Sequence, residues 1–229
     1  MIKITNAEVF GWDAAIRGMR NPMNSWNKSD SFLCNVECDE CPERGNHCQR
    51  HNYLDYVVGD NDLTLMKKLV KAGSDHAKFM RMINVTMDVT APVYWWSEYD
   101  TYKVGTVANS CSKMHKLASK EFTFDDFSHE HLNDDVIEKP FKDIINCLNF
   151  FRDLYNQNHD KDDWWQMIQL LPSSYNQKRT VQLNYAVLRN IYHARRNHKL
   201  DEWRDFCSWV ESLPYAELIT LGGNDNGKD

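Results

Sequence analysis

Residues 73–92 read Gly73-Ser74-Asp75-His76-Ala77-Lys78-Phe79-Met80-Arg81-Met82-Ile83-Asn84-Val85-Thr86-Met87-Asp88-Val89-Thr90-Ala91-Pro92. Within this stretch Phe79, Ile83, Val85, Met87 and Val89 alternate with Met80, Met82, Asn84, Thr86 and Asp88, and only Arg81 interrupts the apolar face. Period-two alternation predicts a strand over 79–89. Upstream, Leu63, Met66, Leu69 and Val70 share one face of a helix that Asp62 caps and Gly73 ends. Downstream, Pro92 suits the first turn of a helix carrying Val93-Tyr94-Trp95-Trp96. The stretch is therefore a helix, a corner at His76, a strand and a second helix.

Working outward, Ile2 to Trp12 alternates as a strand and 14–19 as a short helix. Residues 20–61 show no period, and a loop of that length in a compact domain is functional or tied down. Residues 101–114 are polar and predict a loop running into a helix; 125–135 is an acidic, solvated connection. Ile144, Ile145, Leu148, Phe151, Leu154 and Tyr155 recur at helical spacing and predict the longest helix. A helix bearing Trp164, Trp165, Ile168 and Leu171 stops before Pro172. Two more follow, over 184–197 and 201–213. The class is α+β, helix-rich, with one domain over 1–221, a cysteine-rich insertion at 31–51 and a flexible polar tail at 222–229.

The 229 residues are 42% hydrophobic, with 27 Lys+Arg against 33 Asp+Glu for a net charge of -6. That is chain enough for a substantial core. The acidic balance argues against a nucleic-acid polymer as partner. No apolar run approaches the ~20 residues that span a bilayer, and Met1 to Thr5 does not resemble a secretory signal, so the expected setting is the cytoplasm, away from membranes.

Cysteines 34, 38, 41 and 48 fall within fifteen residues, beside His47 and His51. Four thiolates at such spacing can wrap a tetrahedral zinc ion, which would order a segment poor in apolar residues. The first three also allow an iron–sulfur cluster, an alternative that suffers from the lack of repeating strand–helix units, and free or redox-active thiols are a third. Disulfides are disfavoured in a reducing compartment. Cys147 and Cys207 read as core residues, and both tryptophan pairs as packing.

The order helix, Gly73-x-x-His76, alternating strand, Ala91-Pro92 and polar loop resembles the flavin-dependent thymidylate synthases. The later half agrees: Leu171-Pro172, Asn184 and Arg195 are similar to that family's "LP…TxN…R" region, with Gln182 at the Thr. The resemblance runs from about 61 to 210. It implies a small antiparallel sheet and a homotetramer in which FAD and dUMP sit at subunit interfaces, dUMP being methylated with methylenetetrahydrofolate and NADPH.

The family's signature, R-H-R-x-x-S-x-N-E-x-S-x-R-Y, falls on Thr101 to Met114, where almost every position departs. The first Arg is Thr101, the His is Tyr102, the second Arg is Lys103, the second Ser is Cys111 and the third Arg is Lys113. A lysine offers a point charge where an arginine offers a fork. The Gln before the motif is Glu98, and Ile168 stands at the Arg upstream of Leu-Pro. The resemblance therefore implies a pyrimidine-nucleotide enzyme with an altered site. Arg195 and Cys111 take catalytic positions, with Cys111 near the reacting base. His76, Tyr102, Lys103, Thr106 and Asn184 hold the flavin; Glu98, Lys113 and Arg195 bind the nucleotide. Asn184 and Arg195, eleven residues apart, would share one helix face with their Cα atoms roughly 16 Å apart. The alternative is a catalytically inactive homologue that keeps the fold as a nucleotide-binding or protein-interaction module.

Overall fold

The computed structural model describes residues 2–33, 56–112, 116–132 and 134–222. Six strands and eight helices occur among them. The strands are β1 (Lys3–Phe10), β2 (Phe32–Leu33), β3 (Tyr56–Val57), β4 (Asn84–Pro92), β5 (Val107–Ser110) and β6 (Asn176–Asn184). The helices are α1 (Trp12–Arg20), α2 (Asp60–Lys71), α3 (Val93–Tyr99), α4 (Asp134–Asn158), α5 (Lys161–Leu170), α6 (Tyr185–Arg195), α7 (Asp201–Glu211) and α8 (Glu217–Thr220). The class is helix-rich α+β with a small antiparallel sheet, in strand order β1-β4-β6-β5, while β2 and β3 form a separate two-stranded ladder. The chain divides into two compact units, Met1–Lys3, Val89–Thr101 and Ala108–Thr180 in one, Ile4–Asp88, Tyr102–Val107 and Val181–Asp229 in the other.

The second unit holds β1, α1, α2 and α6 to α8. Its core gathers Trp12, Ile16, Met66, Met80, Ile83, Val85, Leu188, Ile191, Trp203, Phe206 and Leu218, all nearly inaccessible. Trp12 meets Tyr185 and Tyr215 edge-on at 5.4 and 5.0 Å. The two phenols are tied down in turn, Tyr185 donating to the Pro214 carbonyl and Tyr215 accepting from the Val58 amide. Buried tyrosines need such partners for their hydroxyls.

In the first unit α4 packs against α5 over Leu117, Phe122, Phe127, Phe141, Ile145, Leu148 and Met167. Trp95 and Trp96 of α3 are fully buried, and Arg179 lies 4.2 Å from the Trp96 ring centre.

Several expectations are corrected. Strand β4 begins at Asn84, because 78–81 form a 3-10 turn in which consecutive Phe79 and Met80 are both buried, which a strand cannot do for two neighbours. Asp62 lies inside α2 and is fully buried. The cap comes from Asp30, whose carboxylate accepts from the amides of Asn61 and Asp62. Gly59 at the N-cap is required there, since a Cβ would stand 2.2 Å from the Asp30 carboxyl carbon. The acidic stretch is solvated only in part: Thr123 and Asp126 make a reciprocal capping box and 126–128 are buried, while Asp125 and 130–132 are exposed. Pro92 is the N-cap of α3, one place earlier than the first turn. Cys147 is exposed, while Cys207 is buried as expected.

Candidate functional site

The polar loop expected over 101–114 is interrupted by β5, which begins at Val107; its residues 102–107 belong to the second unit. It contacts both ends of α6. At the N-terminal end Asn184 is the cap: its Oδ1 accepts from the Val187 amide at 3.1 Å. Gly105, at φ +75, lies against this cap, and a Cβ would sit 3.0 Å from Asn184 Nδ2 and 3.2 Å from Val187 Cγ2. A side chain at Gly105 would meet both a strained φ and a clash. At the C-terminal end Arg195 Nε donates to the Tyr102 hydroxyl at 2.9 Å. The Thr106 hydroxyl donates to the Tyr102 carbonyl, closing the turn between them.

Arg195 also lies over the Trp203 ring, its guanidinium carbon 5.0 Å from the ring centre and 5.7 Å from that of Tyr102. Trp203 and Tyr102 meet edge-on at 6.1 Å. A cation on this aromatic surface is stabilised by ring faces and a phenol. Trp203, contributed by α7, is a partner that the sequence did not mark. Asn184 is the cap of α6 and Arg195 its last residue, so the two stand at opposite ends of that helix. Lys103 and His76 are exposed, His76 in the turn that follows α2.

In the first unit Cys111 begins where β5 ends. Its amide donates to the Lys178 carbonyl at 3.0 Å and its carbonyl accepts from Gln177 Nε2 at 2.9 Å. These bonds tie the residue to β6 while its side chain is exposed. Cys111 lines a cavity of about 240 Å³ with Thr90, Ser112, Lys116, Lys120, Asp125, Asp126, Tyr175, Asn176, Gln177 and Lys178, among others. Three lysines face two aspartates there, and Lys120 is paired with Asp126. Burial, helped by Asp126, pushes the Tyr175 phenol up. Sequence reasoning missed Lys116, Lys120 and Lys178. Lys178 belongs to a strand with no clear alternation, and the other two lie beyond the motif. Glu98 is a half-buried residue of α3 whose carbonyl accepts from Thr101. Lys113 and the four clustered cysteines lie outside the described residues; among the described ones no group of three acidic, His or Cys side chains could hold a metal.

This architecture is the fold of the flavin-dependent thymidylate synthases. Thymidylate synthase X from Helicobacter pylori, in a structure with FAD and dUMP, matches at a TM-score of 0.63 and 15% identity over 95% of this chain and 96% of that one. A second structure of that synthase with FAD and dUMP matches at 0.62 and 16%, over 93% and 96%. At such identity the likeness is one of fold. No protein-family model and no curated protein matches the sequence. No helix among the described residues is long and apolar enough to cross a membrane.

Proposed function

We propose that this chain is an oligomeric, flavin-dependent enzyme of the thymidylate synthase type, acting on dUMP or a related pyrimidine nucleotide through an altered site. The observation that carries the reading is the near end-to-end match to two structures that hold FAD and dUMP. The cavity beside Cys111 supports it, since lysines are suited to phosphate and the thiol would adjoin the reacting base. Arg195, Lys103 and Lys113 would serve anionic oxygens, and Glu98 the nucleotide.

The residues of the second unit fit a flavin in the chemistry of their donors. The exposed Lys103 ammonium suits its pyrophosphate and the exposed His76 imidazole a ring carbonyl. Tyr102, Thr106 and Asn184 border that loop, with the Thr106 hydroxyl and the Asn184 carbonyl already used within the chain. Bound flavin would supply electron or hydride transfer. Those two engaged side chains favour the second reading, an inactive homologue that keeps a nucleotide site.

A flavin absorbance spectrum of the protein as isolated separates the two. A yellow protein whose melting temperature rises with FAD and with dUMP supports the enzyme; a colourless one stabilised only by dUMP supports the inactive homologue. If neither ligand shifts melting, both readings fall.

We further propose that Cys34, Cys38, Cys41 and Cys48 bind one zinc ion. The β2–β3 ladder, pairing Leu33 with Tyr56, supports this because it closes the segment at its base and so reduces the entropy of gathering four ligands.

A further inference from the structure

Arg195 is the last residue of α6, and its side chain has four rotatable bonds and a planar fork of five N–H donors. What such a group recognises depends on how its plane is held. Two of the groups that touch it bear on that plane. Trp203, with no exposed surface, is a rigid platform 5.0 Å beneath the guanidinium carbon. The Tyr102 hydroxyl takes the Nε–H at 2.9 Å. Tyr102 is itself fixed: its ring meets Trp203 edge-on, its carbonyl accepts from Thr106, and the turn it opens is wedged by Gly105 against the Asn184 cap. A phenol oxygen is a directional acceptor, so it fixes the orientation of the Nε–H and with it the guanidinium plane.

We propose that Tyr102 is a positioning residue for Arg195, setting the plane in which the guanidinium meets the oxygens of the nucleotide. The inference rests on the nucleotide reading above and adds to it a residue whose own contact is with Arg195.

The experiment is a double-mutant cycle read by calorimetric titration with dUMP, using the full chain as wild type, Tyr102→Phe, Arg195→Lys and the double variant, with the melting temperature of each as a control for folding. Phe keeps the ring and removes only the hydroxyl, which accepts from Arg195. The expected result is a Tyr102→Phe variant that melts as wild type and binds dUMP about five- to tenfold more weakly. The double variant should bind no more weakly than Arg195→Lys alone, because without the guanidinium the phenol has nothing to position toward the nucleotide. Tyr102→His, which restores a ring acceptor, should recover part of the affinity. The proposal is overturned if Tyr102→Phe binds as wild type, if the two losses multiply in the double variant, or if Tyr102→His is as weak as Tyr102→Phe. It also falls if the phenylalanine variant loses affinity only as it loses stability. Failure of the nucleotide reading looks different: wild type then melts cooperatively and takes up no dUMP, and the proposal falls with it.

Discussion

Arg20 and Asp62, forty-two residues apart, form a buried ion pair with Nε 2.6 Å from Oδ1 and side-chain exposures of 5% and 0%. The remaining lone pairs of Asp62 are filled by the hydroxyls of Ser29 and Ser31 and by the amides of Asp30 and Ser31. Arg20 in turn donates to the carbonyls of Ser25 and Lys28. This network holds the 20–31 segment, with its 3-10 turns at Asn21–Met23 and Trp26–Lys28, onto α2. Removing one partner strands a buried charge, so Arg20→Met or Asp62→Asn should each cost about 3–5 kcal/mol in urea unfolding, and the double replacement less than the sum. Burial pushes the Asp62 carboxyl up, but the bonds from Ser29, Ser31 and Arg20 outweigh it and leave it below its ordinary value. Its contribution is present above the unfolded value of about 3.9 and is lost as pH falls through the lower folded value. Acid unfolding of Asp62→Asn should lack that component; an unchanged acid limb would refute the assignment.

The helices and β4 were legible because their apolar residues recur at the right period, and Val85, Met87, Val89 and Ala91 do alternate inward. Strand β6 was not. Gln177 occupies an inward position at 5% exposure, which leaves only Val181 and Leu183 to signal a buried face. Strand β5 is four residues long and wholly exposed, at the end of the sheet, so no apolar pattern marks it. The Arg20–Asp62 pair was illegible for a related reason. Both residue types read as surface, and only their complete satisfaction by distant partners permits burial. In the candidate site, Tyr102 and Arg195 were singled out by the resemblance to a family motif, whereas Trp203 and the three lysines near Cys111 had no such motif to mark them.

The cysteine cluster yields a metal prediction. Metal analysis of the purified protein should give about one zinc per chain, and Cys41→Ser should lose it. A metal that binds only the folded state adds to its stability, so with zinc on the cluster a strong chelator should lower the melting temperature of wild type and leave that of Cys41→Ser unchanged. Iron with visible charge-transfer absorbance would replace zinc with the cluster alternative, and four freely titrating thiols with no metal would end both.

His193 on α6 carries a pH prediction. Both of its ring nitrogens are shielded from solvent. Burial lowers its pKa, and the charges of Arg189 and Arg196 lower it further, opposed by the Ile219 carbonyl. The unfolded chain takes up its proton near pH 6.5, whereas the folded chain does so only at lower pH. Between those values the unfolded state binds more protons, so stability falls on acidification from about pH 7 down to the folded value. His193→Phe, which cannot be protonated, should flatten that part of the stability–pH curve. The same slope in the variant would show that another group is responsible.

The three cysteines outside the cluster differ in a way that alkylation can read. Cys207 is 3% exposed, and burial, with Glu211 adding, pushes its thiol up to about 12, so little thiolate exists at neutral pH. Cys111 and Cys147 are both exposed, one in the cavity tied to β6 and the other on α4. Peptide mapping after brief iodoacetamide treatment should therefore find Cys111 and Cys147 modified and Cys207 intact until the protein unfolds. If Cys111 adjoins the pyrimidine, saturating dUMP should slow its alkylation about tenfold or more while leaving Cys147 untouched as an internal control. Equal rates with and without dUMP, in protein shown by titration to bind it, would remove Cys111 from the nucleotide site and place the ligand elsewhere.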